Sequence, residues 1–203
     1  MDEYRFAAHV YDPVVGPFLK PVHKAIVRAM RTRGCARVLD LCCGTGLLSG
    51  ELERHGIEAV GVDLSPAMLR VARARHPDAT FIDGDASSLF IEDDQFDGAA
   101  ICFGLHEKDE GTARDIVREA VRVTRRSGPV VIADYRVPEP GQALWMGLGI
   151  RSVERLAGAD HYRHFQHYLQ AGGTEAFLSG MGLLGLPART FFHGWAGLYV
   201  TIV

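Results

Sequence analysis

A short acidic and glycine-rich stretch in the first quarter of the chain carries the residues best suited to hold a small ligand. An apolar run contains Asp40, and Gly44 and Gly46 follow it closely. Glycines in a turn between a buried strand and a helix let a ligand approach bare backbone N–H groups. The stretch therefore predicts a ligand-binding turn of the kind shared by nicotinamide, flavin and S-adenosylmethionine enzymes.

The charge around this turn distinguishes between those candidate ligands. A dinucleotide brings a pyrophosphate, whereas S-adenosylmethionine brings an ammonium and a sulfonium, which acidic neighbours suit better. Asp40 lies beside the turn, and no Lys or Arg occurs in residues 38–50. Ser49 stands where the dinucleotide pattern G-x-G-x-x-G needs its third glycine. The turn therefore favours a cationic ligand.

Two further carboxylates follow the next two predicted strands. Asp63 comes 19 residues after Gly44, at a strand end where a carboxylate accepts both ribose hydroxyls. Asp85 follows the third strand, where a carboxylate can accept from an adenine amino group while the backbone N–H of Ala86 donates to the ring. Together they predict an adenosine pocket.

These residues need a sheet that brings several strand ends to one edge. Short apolar runs alternate with helical patterns, which predicts an α/β fold with a mostly parallel sheet and helices on both faces. Five core strands and a closing antiparallel pair are predicted, over residues 37–41, 58–62, 80–82, 97–102, 130–133, 187–192 and 198–203.

The sequence also indicates where helices begin and end. Ser65 predicts an N-cap with Pro66 at the first helical position. Another helix is predicted over residues 109–124, and a third over residues 14–33 after a turn at Tyr11. Residues 139–185 are predicted to be mainly helical, with Thr174 as an N-cap and Gly185 as a stop.

Length and composition favour one domain. With 203 residues, of which 47% are hydrophobic, the chain can bury one substantial core. We divide it into an N-terminal helical cap (1–36), a cofactor-binding core (37–134), a helical lid (135–186) and closing strands (187–203). The four cysteines lack paired zinc-site spacing, so we interpret them as reduced packing thiols.

Charge and hydropathy limit the kinds of partner and the location that we expect for the protein. The net charge of -3 includes no polybasic stripe, so we expect no nucleic-acid partner. We see neither a secretory signal nor an apolar stretch near the ~20 residues of a membrane span, and we expect a cytoplasmic protein. A homodimer is compatible with the sequence.

Several motifs in the expected order resemble those of class I S-adenosylmethionine methyltransferases, in particular the ubiquinone/menaquinone-biosynthesis C-methyltransferases. The matching segments are residues 11–12, 40–46, 61–65, 84–86, 96–100 and 122–128. Two departures stand out. Cys42 replaces the first glycine of the family's G-x-G-x-G, and Arg126 with Ser127 replaces a Pro-Gly pair.

The resemblance implies a Rossmann-like methyltransferase fold with a seven-stranded sheet, S-adenosyl-L-methionine as cofactor and S-adenosylhomocysteine as product. It also implies a set of cofactor-binding residues. They are Tyr11, Asp40, Cys42, Gly44, Thr45, Gly46, Asp63, Leu64, Met68, Asp85, Ala86 and Phe103.

The methyl acceptor should dock beyond the fourth and fifth strand ends, because open α/β sheets bind ligands at that edge. His106 is our candidate catalytic residue, as a base or a substrate orienter, and the alternative is a histidine that only packs. We expect Glu107 to be a solvated helix-start carboxylate. Tyr135 either shapes the acceptor pocket or belongs to the core.

His161, His164 and His167 recur every three residues in the helical lid. On a helix this spacing drifts by about 60° per step, and no carboxylate partner is evident, so we expect no metal site. Aromatic and apolar residues of the lid predict either a lipophilic pocket or a small core of its own. They are Leu144, Trp145, Met146, Tyr162, Phe165 and Tyr168.

The sequence therefore predicts methyl transfer to a small aromatic or lipophilic acceptor, with quinone-like C- or O-methylation favoured. N-methylation of a phospholipid or small amine is the alternative within enzymes, because fold does not fix substrate. A non-catalytic S-adenosylmethionine-binding protein is the alternative outside enzymes. A nicotinamide oxidoreductase ranks third, because the turn is acidic.

Overall fold

One sheet of seven strands organises the molecule. The computed structural model describes residues 8–139, 144–183 and 185–203, with the backbone alone for residues 8–14 and 144. The strand order is β3-β2-β1-β4-β5-β7-β6, in which β7 runs antiparallel to β5 and β6. The order reverses between β1 and β4, and such a switch point opens a crevice at the carboxyl ends of the strands.

The elements follow the predicted alternation closely. The strands are β1 Arg37–Leu41, β2 Glu58–Asp63, β3 Thr80–Asp83, β4 Gly98–Cys102, β5 Pro129–Tyr135, β6 Arg189–Phe191 and β7 Ala196–Ile202. The helices are α1 Ala8–Thr32, α2 Leu47–Glu53, α3 Pro66–Arg75, α4 Glu110–Val123, α5 Leu144–Leu156, α6 Ala159–Gln170 and α7 Gly173–Ser179. A 3-10 turn, Phe192–Gly194, joins β6 to β7.

Side chains from the two faces of the sheet pack into two apolar cores. On one face Val38 and Val131 pack with α1, whose Ile26 and Met30 are fully buried. On the other face Leu39 and its neighbours pack with α4. Because successive side chains of a strand point to opposite faces, burial on both faces fixes the strand register and thereby the positions of the strand ends.

Three local predictions about helix ends are wrong. Tyr11 lies inside α1 and not in a turn, because the helix tolerates Pro17 and Pro21 on its exposed side, where the carbonyls of residues 13 and 17 that lack a helical donor can bond to water. Thr174 lies inside α7, where its hydroxyl donates to the carbonyl of Tyr135 at 2.6 Å. That helix ends at Ser179, well before the predicted stop at Gly185.

The predicted cap at Ser65 is confirmed, because its hydroxyl accepts from the backbone N–H of Met68 at 3.2 Å. The helix predicted over residues 109–124 begins with Asp109 as its N-cap, which accepts from the backbone N–H of Thr112 at 3.0 Å. All four cysteines are free, as predicted. Within the described ranges, no helix is long and apolar enough to cross a membrane.

Candidate active site

The carboxyl edge of the parallel strands collects the predicted site residues. The glycine turn follows β1, Asp63 ends β2, and Asp85 and Ala86 follow β3, so the adenosine side lies on one flank. Phe103 and His106 follow β4 on the other flank. The edge therefore has a cofactor side and an acceptor side, which meet at the switch point.

The turn after β1 winds through left-handed backbone. Cys42, Gly44 and Gly46 have φ angles of 58°, 53° and 76°. A Cβ on Gly46 would lie 2.7 Å from the Phe81 ring, so this position requires glycine twice over, for its conformation and for its space. The Gly46 N–H donates to the Cys43 carbonyl at 2.9 Å and closes the turn.

Cys42 keeps the conformation of the glycine that it replaces. A non-glycine residue in left-handed backbone costs roughly 1–2 kcal/mol. Its side chain is accommodated by Gly104 after β4, where an added Cβ would lie 2.8 Å from the Cys42 Cβ. Burial also raises the pKa of the Cys42 thiol, which keeps it protonated and unreactive at neutral pH.

Asp63 connects the turn to the second strand. Its Oδ2 accepts from the Gly44 N–H and its Oδ1 from the Ser65 N–H, both at 2.8 Å. Each carboxylate oxygen keeps a second lone pair that a hydroxyl can use. The carboxylate is therefore fixed by backbone donors and still able to accept from a ribose.

The remaining predicted cofactor residues lie around the same edge. Leu64 is 59% exposed although apolar, which leaves a surface free for a flat ring. Met68 and Ala86 are buried, and exposed Asp85 accepts from the Ser87 N–H at 2.8 Å. Thr45 is buried within the turn. The side chain of Tyr11 lies outside the described residues.

Asp40 is a buried acid beneath the glycine turn. Burial raises its pKa to about 7, although the Ser49 hydroxyl opposes this by donating to Oδ2 at 2.7 Å. Nearby Asp63 raises the pKa further. A cationic ligand in the turn would stabilise the ionised form of Asp40.

We expect cofactor affinity to depend on pH through Asp40. A carboxylate is ionised above its pKa, so a cationic ligand binds best above about 7 and loses affinity below it. Between pH 7.5 and pH 6 the ionised fraction falls about eightfold, and the dissociation constant should rise by the same factor. Calorimetry with S-adenosylhomocysteine measures this, with Asp40→Asn as the control that should bind weakly at every pH. A flat wild-type profile would contradict the assignment.

On the acceptor side, His106 is held in a buried polar cluster. Its Nδ1 lies 2.7 Å from Asp134 Oδ1 and its Nε2 lies 3.3 Å from Glu154 Oε2. Burial lowers the pKa of His106, but Asp134 and Glu154 outweigh burial, and the pKa lies well above its ordinary value. Both ring nitrogens face carboxylates, so the geometry favours the orienting role of His106 over that of a free base.

Glu107 belongs to this cluster, so its predicted solvation is wrong. Its side chain is 16% exposed and lies 2.7 Å from Lys108 Nζ and 3.3 Å from His161 Nδ1. Burial raises the pKa of Glu107, but His161 and Lys108 outweigh it and lower the pKa to about 2. The predicted lack of a carboxylate near the lid histidines is also wrong, because His161 Nε2 lies 2.6 Å from Glu154 Oε2.

The other two lid histidines do not contact the carboxylates of this cluster. His164 Nδ1 lies 2.9 Å from the Glu107 carbonyl oxygen, and His167 is exposed. Of the lid aromatics, Phe165 and Tyr168 are buried and form core, whereas Trp145 is 64% exposed. The small-core interpretation therefore holds for Phe165 and Tyr168.

Aromatic rings border the acceptor side. The Phe103 ring centroid lies 5.0 Å from that of Tyr135 and 6.1 Å from that of Phe192. Phe103 and Phe192 are half-buried, and both have left-handed backbone, with φ angles of 55° and 51°. Aromatic residues rarely adopt this conformation, and such strain concentrates at functional sites.

Sequence reasoning missed three residues of this side. Asp134, Glu154 and Phe192 are not among the predicted site residues. Asp134 stands in an otherwise apolar run that forms the fully buried strand β5, and a lone carboxylate there is a signal that the sequence offers. Glu154 and Phe192 reach the site through tertiary packing, for which the sequence offers no local sign.

Comparisons with known proteins agree with the fold. A family model described as a methyltransferase domain matches residues 38–128. A demethylmenaquinone methyltransferase from Streptomyces avermitilis is 37% identical over 164 residues, which cover 77% of this chain and 70% of that protein. One from Paenarthrobacter aurescens is 38% identical over 125 residues, covering 62% of this chain and 48% of that protein. The chain spans about half the length of several such relatives, between 44% and 51%.

Solved structures show the same architecture. A protein from Pyrococcus horikoshii superposes with a TM-score of 0.53 at 32% identity, over 62% of this chain and 55% of that chain. A sugar N-methyltransferase from Streptoalloteichus has a TM-score of 0.51 at 28% identity, over 57% of this chain and 48% of that chain.

The glycine turn follows β1, and a carboxylate ends β2. Together with the strand order, in which β7 is antiparallel, they define a Rossmann-like methyltransferase fold. The chain belongs to the class I S-adenosylmethionine-dependent methyltransferases, in the ubiquinone/menaquinone-biosynthesis group. The cofactor of this family is S-adenosylmethionine.

Proposed function

We propose that the chain transfers the methyl group of S-adenosylmethionine to a quinol-type aromatic acceptor. The observation that carries the proposal is the pair of half-buried rings, Phe103 and Phe192, which lie against the buried ring of Tyr135 beyond the ends of β4 and β5. Aromatic faces and edges bind a flat ring by stacking, and a mostly apolar pocket suits a lipophilic acceptor. The relatives named as demethylmenaquinone methyltransferases support the same acceptor class.

The reaction is an in-line displacement at the methyl carbon. The carbon–sulfur bond breaks and a bond to an acceptor carbon or oxygen forms, so S-adenosylhomocysteine leaves and the acceptor loses one proton. Alignment and exclusion of water supply much of the rate in such a step. We assign the glycine turn, Asp40 and Asp63 to holding the cofactor, and the aromatic rings to placing the acceptor.

His106 orients the acceptor side in this proposal. It sits three residues beyond Phe103, with ring centroids 6.3 Å apart, and its ring lies 4.7 Å from that of Tyr135. Asp134 fixes the imidazole from behind, and its Oδ2 also accepts from the Leu105 N–H at 2.9 Å. The cluster therefore holds the backbone after β4 as well as the two neighbouring rings.

The test is methyl transfer to a reduced naphthoquinone that lacks one ring methyl, beside an amine acceptor. We expect turnover of the quinol, and Phe192→Leu should lower its kcat/KM about two- to thirteenfold, because an aromatic contact contributes ≈ 0.5–1.5 kcal/mol beyond its area. S-adenosylhomocysteine affinity should change less than twofold. Phe90→Leu, at a fully exposed loop position away from this edge, is the matched control. Turnover of the amine alone would contradict the proposal and favour N-methylation.

A further inference from the structure

Two histidines and a glutamate from three different elements turn their ligand atoms toward one another. His106 follows β4, Glu154 lies on α5, and His161 lies on α6. Glu154 Oε2 lies 3.3 Å from His106 Nε2 and 2.6 Å from His161 Nε2, and the ligand atoms of all three lie within 4.8 Å of one another. Atoms bound to one tetrahedral zinc at ~2.0–2.1 Å lie about 3.3 Å apart, so small side-chain shifts would bring all three ligand atoms to coordination distance.

Each of these side chains is supported from behind by a further polar group. His106 Nδ1 lies 2.7 Å from Asp134 Oδ1, and His161 Nδ1 lies 3.3 Å from Glu107 Oε2. Tyr135 donates its hydroxyl to the other oxygen of the glutamate at 2.7 Å. Metal-binding histidines almost always give their second nitrogen to a carboxylate or carbonyl, and ligating carboxylates are hydrogen-bonded in turn. His106 follows that arrangement, whereas His161 Nδ1 lies near the Glu107 carboxylate without a hydrogen bond to it.

The charge of the cluster also suits a divalent cation. Three carboxylates, those of Glu107, Asp134 and Glu154, surround the two imidazoles, and Lys108 is the ammonium that pairs with Glu107. Two neutral imidazoles would leave an excess of two negative charges, which one divalent ion compensates. Because the carboxylates of Asp134 and Glu154 are almost completely buried, their charge is compensated inside the protein, either by protons on the imidazoles or by a metal ion that displaces those protons.

We propose that His106, Glu154 and His161 form a binding site for a divalent transition metal of the zinc class. Two histidines and one glutamate are a ligand set that zinc accepts, and three protein ligands leave a fourth position for water or a ligand oxygen. The site would clamp α5 and α6 to the end of β4. It replaces the expectation drawn from histidine spacing alone, because the other ligands come from elsewhere in the fold.

The inference stands independently of the proposed function, since metal binding is measured without cofactor or acceptor. The full chain, stripped with a chelator, is titrated with Co²⁺ and then with Zn²⁺. We expect one Co²⁺ per chain with the visible absorption of a tetrahedral site, and its displacement by Zn²⁺. Zinc at a hundredfold excess over its dissociation constant should raise Tm by about 5–10 °C.

Variants separate this site from adventitious binding. His161→Gln and Glu154→Gln should each weaken Co²⁺ binding by about a hundredfold or more, and Glu107→Gln, which alters only the supporting carboxylate, by ten- to a hundredfold. His167→Gln is the matched control, because this exposed histidine lies on the same helix outside the cluster. Glu107→Gln keeps the test decisive where a ligand variant melts at the assay temperature. Absence of tetrahedral Co²⁺ binding, or equal binding by the control and the folded cluster variants, would overturn the inference.

Discussion

Replacing Asp63 with alanine should weaken S-adenosylmethionine binding by about 1.5–3 kcal/mol, which is roughly ten- to 150-fold. The Asp63 carboxylate is the acceptor for the Gly44 and Ser65 N–H groups, each at 2.8 Å. Alanine removes these anchors of the turn together with the oxygens that a ribose would use. Calorimetric titration with S-adenosylhomocysteine measures the loss, and far-ultraviolet circular dichroism shows whether the variant is folded.

Glu58→Ala is the control for this prediction. Glu58 begins the same strand at the opposite edge of the sheet, where it pairs with Arg37 at 3.0 Å and is well exposed. Surface ion pairs of this kind contribute ≈ 0–1 kcal/mol to stability and nothing to the site. An Asp63→Ala variant that is folded and binds S-adenosylhomocysteine like the Glu58→Ala control would refute the ribose assignment.

Replacing His106 with alanine should lower turnover about a hundredfold, because a displacement of about 1 Å in a reacting pair costs on that order. His106 fills the space between Tyr135 and Phe165, with ring centroids 4.7 Å and 6.0 Å away. Its loss frees both rings and leaves Asp134 and Glu154 without their shared cation. Because the cofactor side is built on β1 and β2, S-adenosylhomocysteine affinity should change less than threefold.

The split between turnover and affinity distinguishes orientation of the acceptor from general destabilisation. His106→Gln keeps a polar side chain beside Asp134 and should recover part of the turnover, whereas a purely structural role predicts that kcat follows the melting temperature. His167→Ala, on the exposed side of α6, should resemble the wild type. Wild-type turnover in a folded His106→Ala variant would remove this residue from the mechanism.

The core strands and caps were predictable because their signals are local. Short apolar runs such as β4 and β5 alternate with segments whose apolar residues have helical spacing. Ser65 and Asp109 are residue types that favour the first position of a helix. The glycine turn was predictable for a similar reason, because the residues that indicate its ligand are adjacent in the sequence. Cys42 has a φ of 58° although it is not a glycine, so the turn keeps its left-handed backbone where the family's glycine is replaced.

The acceptor side could not be predicted to the same depth because it is assembled across the chain. Glu154 stands 48 residues beyond His106 and reaches it only when α5 packs against the strand ends. No periodicity of α5 marks that glutamate as buried. The left-handed backbone of Phe192 could not be predicted either, because phenylalanine rarely adopts it.

A calorimetric titration of the purified protein with S-adenosylhomocysteine, beside an identical titration with NADH, tests the cofactor assignment most directly. Binding of S-adenosylhomocysteine in the micromolar range, with no heat from NADH, is the predicted result. It would justify an acceptor screen that begins with quinols. Binding of NADH alone would contradict the assignment and redirect the search toward hydride transfer.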